Sequence, residues 1–168
     1  MHWSQEVAEK RIADLGMKDL PLVQIHPLPH PVPQDWYTKY HDFIHEFVKT
    51  LGDSISELAY MNLPQGDFID LVMGHRMPDN LSLRLRTPLV WGGKLEPDNM
   101  FLCTTFPHSY NMDRFIIEQN GNDLIWMPNP AKKVYWPVHM MNGGDGGNAT
   151  SDRLSQMAAQ IAASRGME

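Results

Sequence analysis

A single cysteine, Cys103, stands in a chain of 168 residues. It has no partner for an intrachain disulfide, and a four-thiolate zinc site is excluded. No apolar run approaches the roughly 18 residues of a membrane-spanning helix, so no span is expected. The N-terminus carries no cationic stretch followed by an apolar one, so no signal peptide is expected either. Together these point to the cytoplasm, or to a particle assembled inside a cell. Positive charge is also scarce. Fourteen Lys and Arg against twenty Asp and Glu leave a net charge of −6, which argues against a general grip on nucleic acid by phosphate neutralisation. Internal repeats, heptad runs and phosphate-binding glycine motifs are absent. Asn148-Ala149-Thr150 matches a glycosylation acceptor, which has meaning only in a secreted protein.

Proline and methionine are plentiful, at 13 and 12 residues. Five of the prolines, Pro21, Pro27, Pro29, Pro31 and Pro33, fall within residues 21–33. That density forbids a central strand and predicts a stiff, extended arm, suited to lying on the domain or gripping a neighbour. Methionine is adaptable at packed surfaces. The length favours one domain with a core of its own. We expect an α+β fold: a helical N-terminal half, a small ββα centre, a C-terminal β-hairpin and a terminal helix. Residues 1–141 would form the domain, and the glycine-rich residues 142–150 a linker. Residues 151–166 would hold a helix that docks through Leu154, Met157 and Ile161.

The helical half has clear signals. Ser4 is placed to cap a helix from Gln5 to Leu15 that Gly16 ends. Asp35 is placed to cap a longer one from Trp36 to Leu51, whose apolar face runs through Phe43, Ile44, Phe47 and Val48. A short helix is expected over Ile55–Met61, ending before a turn at Leu63-Pro64-Gln65-Gly66. Residues 68–73 are too continuously apolar to assign. His41 and His45 have a spacing that can hold a metal, but they flank the apolar face, and no third ligand lies near in sequence. Two His on a solvated flank is the simpler reading.

The chain is organised around residues 81–119. Leu81, Leu83 and Leu85 alternate with Ser82, Arg84 and Arg86, the period of a strand with one apolar face and one cationic face. Pro88 stops that ladder, and Gly92-Gly93 permit a reversal. Met100 to Cys103 reads as a second strand. After Pro107, Met112, Phe115 and Ile116 share a helical face that Asn120-Gly121 closes. Beyond it, Leu124–Met127 and Val134–Trp136 read as two strands joined by Pro128-Asn129-Pro130.

Strand, Gly-Gly loop, strand and helix, with Pro88, Gly92-Gly93, Asn99, Pro107 and His108 at their spacing, resemble the ββα-metal core of HNH nucleases. The DNase domains of colicins and S-type pyocins carry a similar pattern. The resemblance implies a catalytic site of His108 and Asn99 with a divalent metal ion, in which a His activates water. This chain departs from the pattern at the ligand positions. Arg84 and Leu85 stand where that family has two His, and Met112 stands one helical turn after His108. Arginine cannot serve as a general base near neutrality, and a thioether is a poor ligand for a hard cation.

The expectation is therefore a non-enzymatic structural or assembly subunit on a degenerate HNH-like scaffold, without cofactor or metal. Its partners would be other protein subunits of a larger particle, a viral one among the candidates. Two alternatives remain. One is a metal-dependent nuclease that recruits His75 to work with His108 and Asn99. The other is a pseudonuclease that binds nucleic acid through Arg84, Arg86 and Lys94.

Overall fold

A computed structural model describes residues 1–51, 55–61, 63–73 and 76–136, save the side chains of residues 40, 41, 55, 57 and 60. The fold is α+β. The linker 142–150, the docking helix 151–166 and His75 lie outside the described residues.

One strand explains how the rest is arranged. β3 (Met100–Thr104) is buried at all five positions. Successive side chains of a strand point to opposite faces, and here each face meets a different core. Met100 and Leu102 belong to a cluster with Phe47, Leu58, Phe68 and Leu71. Phe101 and Cys103 belong to a second cluster with Ala8, Ile12, Met112 and Phe115. A continuous apolar run is what a strand with two dry faces requires. Each fully buried large side chain contributes roughly 1.5–3 kcal/mol.

The first core is built by α2 (Tyr40–Lys49), α3 (Ile55–Tyr60) and α4 (Gln65–Val72), packed on the apolar face of β2 (Leu81–Leu85). The second lies between α1 (Gln5–Asp14) and α5 (Tyr110–Ile117). Ser4 caps α1 as its position foretold, its Oγ accepting from the Val7 N–H at 3.3 Å. The helix ends at Gly16, which adopts φ +87° while Met17 N–H donates to Ile12 O at 3.0 Å. Arg11 on α1 pairs with Glu118 just beyond α5.

β2 and β3 are antiparallel neighbours, with Leu83 opposite Leu102. β1 (Leu22–Ile25) and β4 (Ile125–Pro128) form a separate antiparallel pair. β1 thus lies between Pro21 and Pro27 of the proline-rich arm, in a sheet of two strands where neither strand is central. Gln119 fastens β4 to the end of α5: its Nε2 donates to Phe115 O and Trp126 O, and its Oε1 accepts from Trp126 N–H at 2.7 Å. No described helix is long and apolar enough to cross a membrane.

Three expectations need correction. The helix placed at Trp36–Leu51 starts at Tyr40. Asp35 does not cap it, because its carboxylate pairs with Lys39 at 2.8 Å and its carbonyl accepts from Thr38 and Lys39. These contacts close a local turn and leave Trp36 and Tyr37 outside the helix. The turn placed at residues 63–66 is instead the start of α4, with Pro64 as its N-cap and the apolar residues 68–72 on it. Lastly, the segments 124–127 and 134–136 find different partners. The first pairs with β1. The second bridges the free edge of β3, where Leu102 N–H donates to Lys133 O and Tyr135 N–H donates to Leu102 O, both at 2.7 Å. Pro128 and Pro130 have no N–H for a ladder of their own, and the open edge of β3 offers both a donor and an acceptor.

Candidate functional site

The two strands β2 and β3 hold the candidate residues between them, and the loop that joins them is tied by one side chain. Asn99 Oδ1 accepts from the Thr87 N–H at 3.0 Å. Its Nδ2 donates to Thr87 O and to Lys94 O, each at 2.9 Å. One amide therefore satisfies three backbone groups across the loop, a role that needs both a donor and an acceptor on a short stem. The backbone joins in, with Arg86 N–H donating to Asn99 O at 2.7 Å. Leu89–Trp91 make a single 3₁₀ turn, after which Gly92 turns the chain in the left-handed region at φ +93°. Gly93 is required for another reason. A Cβ there would lie 1.8 Å from Thr87 O.

Where the strand pair meets Ser109 and α5, polar side chains are turned onto one another. Arg84 Nη1 donates to Ser109 Oγ at 2.9 Å, to Ser109 O at 3.2 Å and to Asp113 Oδ1 at 2.8 Å. Its side chain is 15% exposed, while that of Asp113 is 59% exposed. Leu85, the next residue, packs against the first core. His108 is 3% exposed. Its Nδ1 lies 2.7 Å from Thr104 Oγ1, and its ring meets Tyr135 and Trp136 edge-on at centroid distances of 5.5 and 6.3 Å. Met112 follows one turn later and is fully buried in the second core. Burial raises the pKa of Tyr135 well above the usual phenol range, and it pushes the Cys103 thiol up to about 12.

The three cations of the sequence-derived patch do not act together. Arg84 is bound to Ser109 and Asp113 as above. Arg86 reaches the other way: its guanidinium donates to Pro130 O, Lys132 O and Asp98 O and lies 5.4 Å from the centroid of the Phe101 ring. Burial lowers its ionisation from the usual guanidinium range. Only Lys94 of the three is exposed.

Asn99 and His108 thus take up positions at opposite ends of β3. Among the described residues, no three His, Cys, Asp or Glu side chains converge as metal ligands. The pairing call on His41 and His45 falls partly outside the described side chains, since that of His41 is among those not described. Sequence reasoning singled out neither Thr104, Ser109 nor Asp113. Two signals were there to be used: Thr104 precedes His108 by four residues, and Ser109 precedes Asp113 by four, the spacing of side chains on one helical face.

No family model matches the chain, and comparisons with curated proteins and with solved structures likewise return no match.

Proposed function

We propose that this chain is a non-enzymatic, protein-binding subunit of a larger assembly, built on a scaffold resembling an HNH core in which most of the metal-ligand histidine positions hold other residues. The observation that carries this reading is the engagement of Arg84 with Ser109 and Asp113. Where the resemblance calls for a metal-binding or water-activating imidazole, a guanidinium stitches β2 to α5 instead. A guanidinium so placed repels a cation and cannot take a proton. Met112 supports the same reading, since the next expected ligand position holds a thioether packed among Ala8, Ile12 and Phe115. Asn99 retains the part that a scaffold needs, the fastening of the loop.

The internal engagement of Arg84 and Arg86 also weighs against the pseudonuclease alternative, because phosphate contacts need donors turned outward. The test is a cleavage assay. The purified chain is incubated with duplex and single-stranded DNA in magnesium, manganese, nickel or zinc, beside a His108→Ala control. No metal-dependent nicking is the expected result. Nicking that the substitution abolishes would overturn the reading in favour of a nuclease.

A further inference from the structure

Beside the Arg84 corner lies an open groove of about 800 Å³. Val32, Trp36, Leu85, Leu89, Val90 and Leu95 line it, so its walls come from the proline-rich arm, β2 and the loop that follows. The wall is mostly apolar, with Ser82 and Ser109 among its polar residues. Its one charged residue is Arg84, already paired with Asp113. Val90 remains 49% exposed, and Tyr37, also on the rim, 75%. Contiguous apolar surface of this kind on a soluble chain marks a place where something docks.

The chain holds an occupant of matching chemistry. Leu154, Met157, Ala158 and Ile161 fall at i, i+3, i+4 and i+7, the pattern by which an amphipathic helix seats in an apolar groove. Within residues 152–164 the only charges are Asp152 and Arg153, which cancel. A neutral segment suits a neutral groove. The tether suits it as well. Trp136, the last described residue, packs in the same cluster as Leu83, Leu85 and Leu95, three residues of the groove wall. Its ring is also a neighbour of His108, next to Ser109 on the groove margin. Seventeen residues lie between Trp136 and Leu154. A coil of that length spans roughly 20–25 Å on average, and about 60 Å at full stretch. The margin has an unfilled bond too, since the buried Nε1–H of Trp136 has no hydrogen-bond partner among the described residues. A short tether holds the segment at millimolar effective concentration, more than a second copy of the chain supplies in dilute solution.

We propose that residues 152–164 dock in this groove of their own chain, with Leu154, Met157 and Ile161 against the apolar wall. The assignment goes beyond the assembly reading and stands or falls apart from it, because a nuclease could carry the same docked segment. In an assembly, the groove would be where a neighbour's segment competes.

The test is disulfide trapping in the full chain. Cys103 is buried and its thiol is pushed up to about 12, so introduced cysteines react alone under mild oxidant. Val90→Cys is paired with Met157→Cys, and Ile117→Cys with Met157→Cys serves as the control. Ile117 is 69% exposed and lies outside the groove lining. An intrachain bond at position 90, favoured about tenfold or more over position 117, is the expected result for a seated segment rather than a wandering one. Equal trapping at both positions, or none, would overturn the proposal. Bonds that form only between chains would assign the groove to a second copy and overturn it too. Amide exchange gives an independent readout on chains without introduced cysteines: Leu154→Asp with Ile161→Asp should speed exchange at Val90 and Trp91, whereas unchanged rates would count against docking.

Discussion

Asn99 and Arg84 both use polar side chains to hold the same strand pair, and they do it in different ways. Asn99 binds only backbone, two groups of Thr87 and one of Lys94, and these define the path of the loop. Arg84 binds mainly side chains, and its ionic partner Asp113 is largely in water. A backbone group left without its partner in a half-buried loop has few substitutes. A surface carboxylate left without its partner is simply hydrated. Replacing Asn99 should therefore cost more than replacing Arg84, because water can serve the ionic partner that Arg84 leaves behind.

The strongest break of that comparison is Gly93→Ala. The added Cβ would have to displace Thr87 O from 1.8 Å, which moves the strand end and the Asn99 bonds with it. A loss of at least about 3 kcal/mol is expected, in the range reserved for forced backbone strain, and urea unfolding would measure it. A loss under 1 kcal/mol would show that the loop is not held as described. Asn99→Ala comes next. Three hydrogen bonds to backbone disappear together, and about 2–3 kcal/mol should go with them. Asn99→Asp should recover only part, since a carboxylate accepts from Thr87 N–H but cannot donate to Thr87 O or Lys94 O.

Arg84→Met sharpens the contrast from the other side. It keeps much of the packed stem and removes the ion pair, so thermal unfolding should change by about 1 kcal/mol or less. A cost equal to that of Asn99→Ala would make the two residues alike and remove the distinction. The smallest effect belongs to a contact wholly at the surface. Asp123 is held down to about 2 by the N-terminal ammonium of Met1, which lies 3.0 Å from it. Its folded value is below the unfolded one of about 3.9. Its contribution is therefore complete above roughly pH 4 and lost as pH falls toward 2. Carboxyl NMR titration of Asp123 should give a midpoint near 2. A midpoint close to 4 would mean that the N-terminus is not tethered there.

Several of these features were legible before any coordinates. Period-two alternation placed β2 and its leucine face, because one side of that strand is dry and the other is not. Ser4 and Gly16 bracketed α1, because capping is a local affair of a few residues. Asp35 looked equally good as a cap. It failed because Lys39, four residues on, competes for its carboxylate, and a sequence does not say which neighbour wins. The segment at Val134 looked like one half of a hairpin. Its actual bond to Leu102 depends on an open edge that exists only once β2 has taken the opposite edge of β3.

What the sequence alone determined is local: the helix and strand periods, the apolar run Met100–Cys103, the glycine pair in the loop, and the absence of imidazoles at positions 84, 85 and 112. Each of these follows from spacing and side-chain type within one element. What the tertiary structure decided is which groups meet. The pairing of Arg84 with Asp113, the bond between His108 and Thr104, the bracket around Asn99 and the groove beside them each join residues from different elements or from the two ends of a loop. Those encounters are set by how the two cores pack against opposite faces of β3, and packing of that kind leaves no periodic trace along the chain.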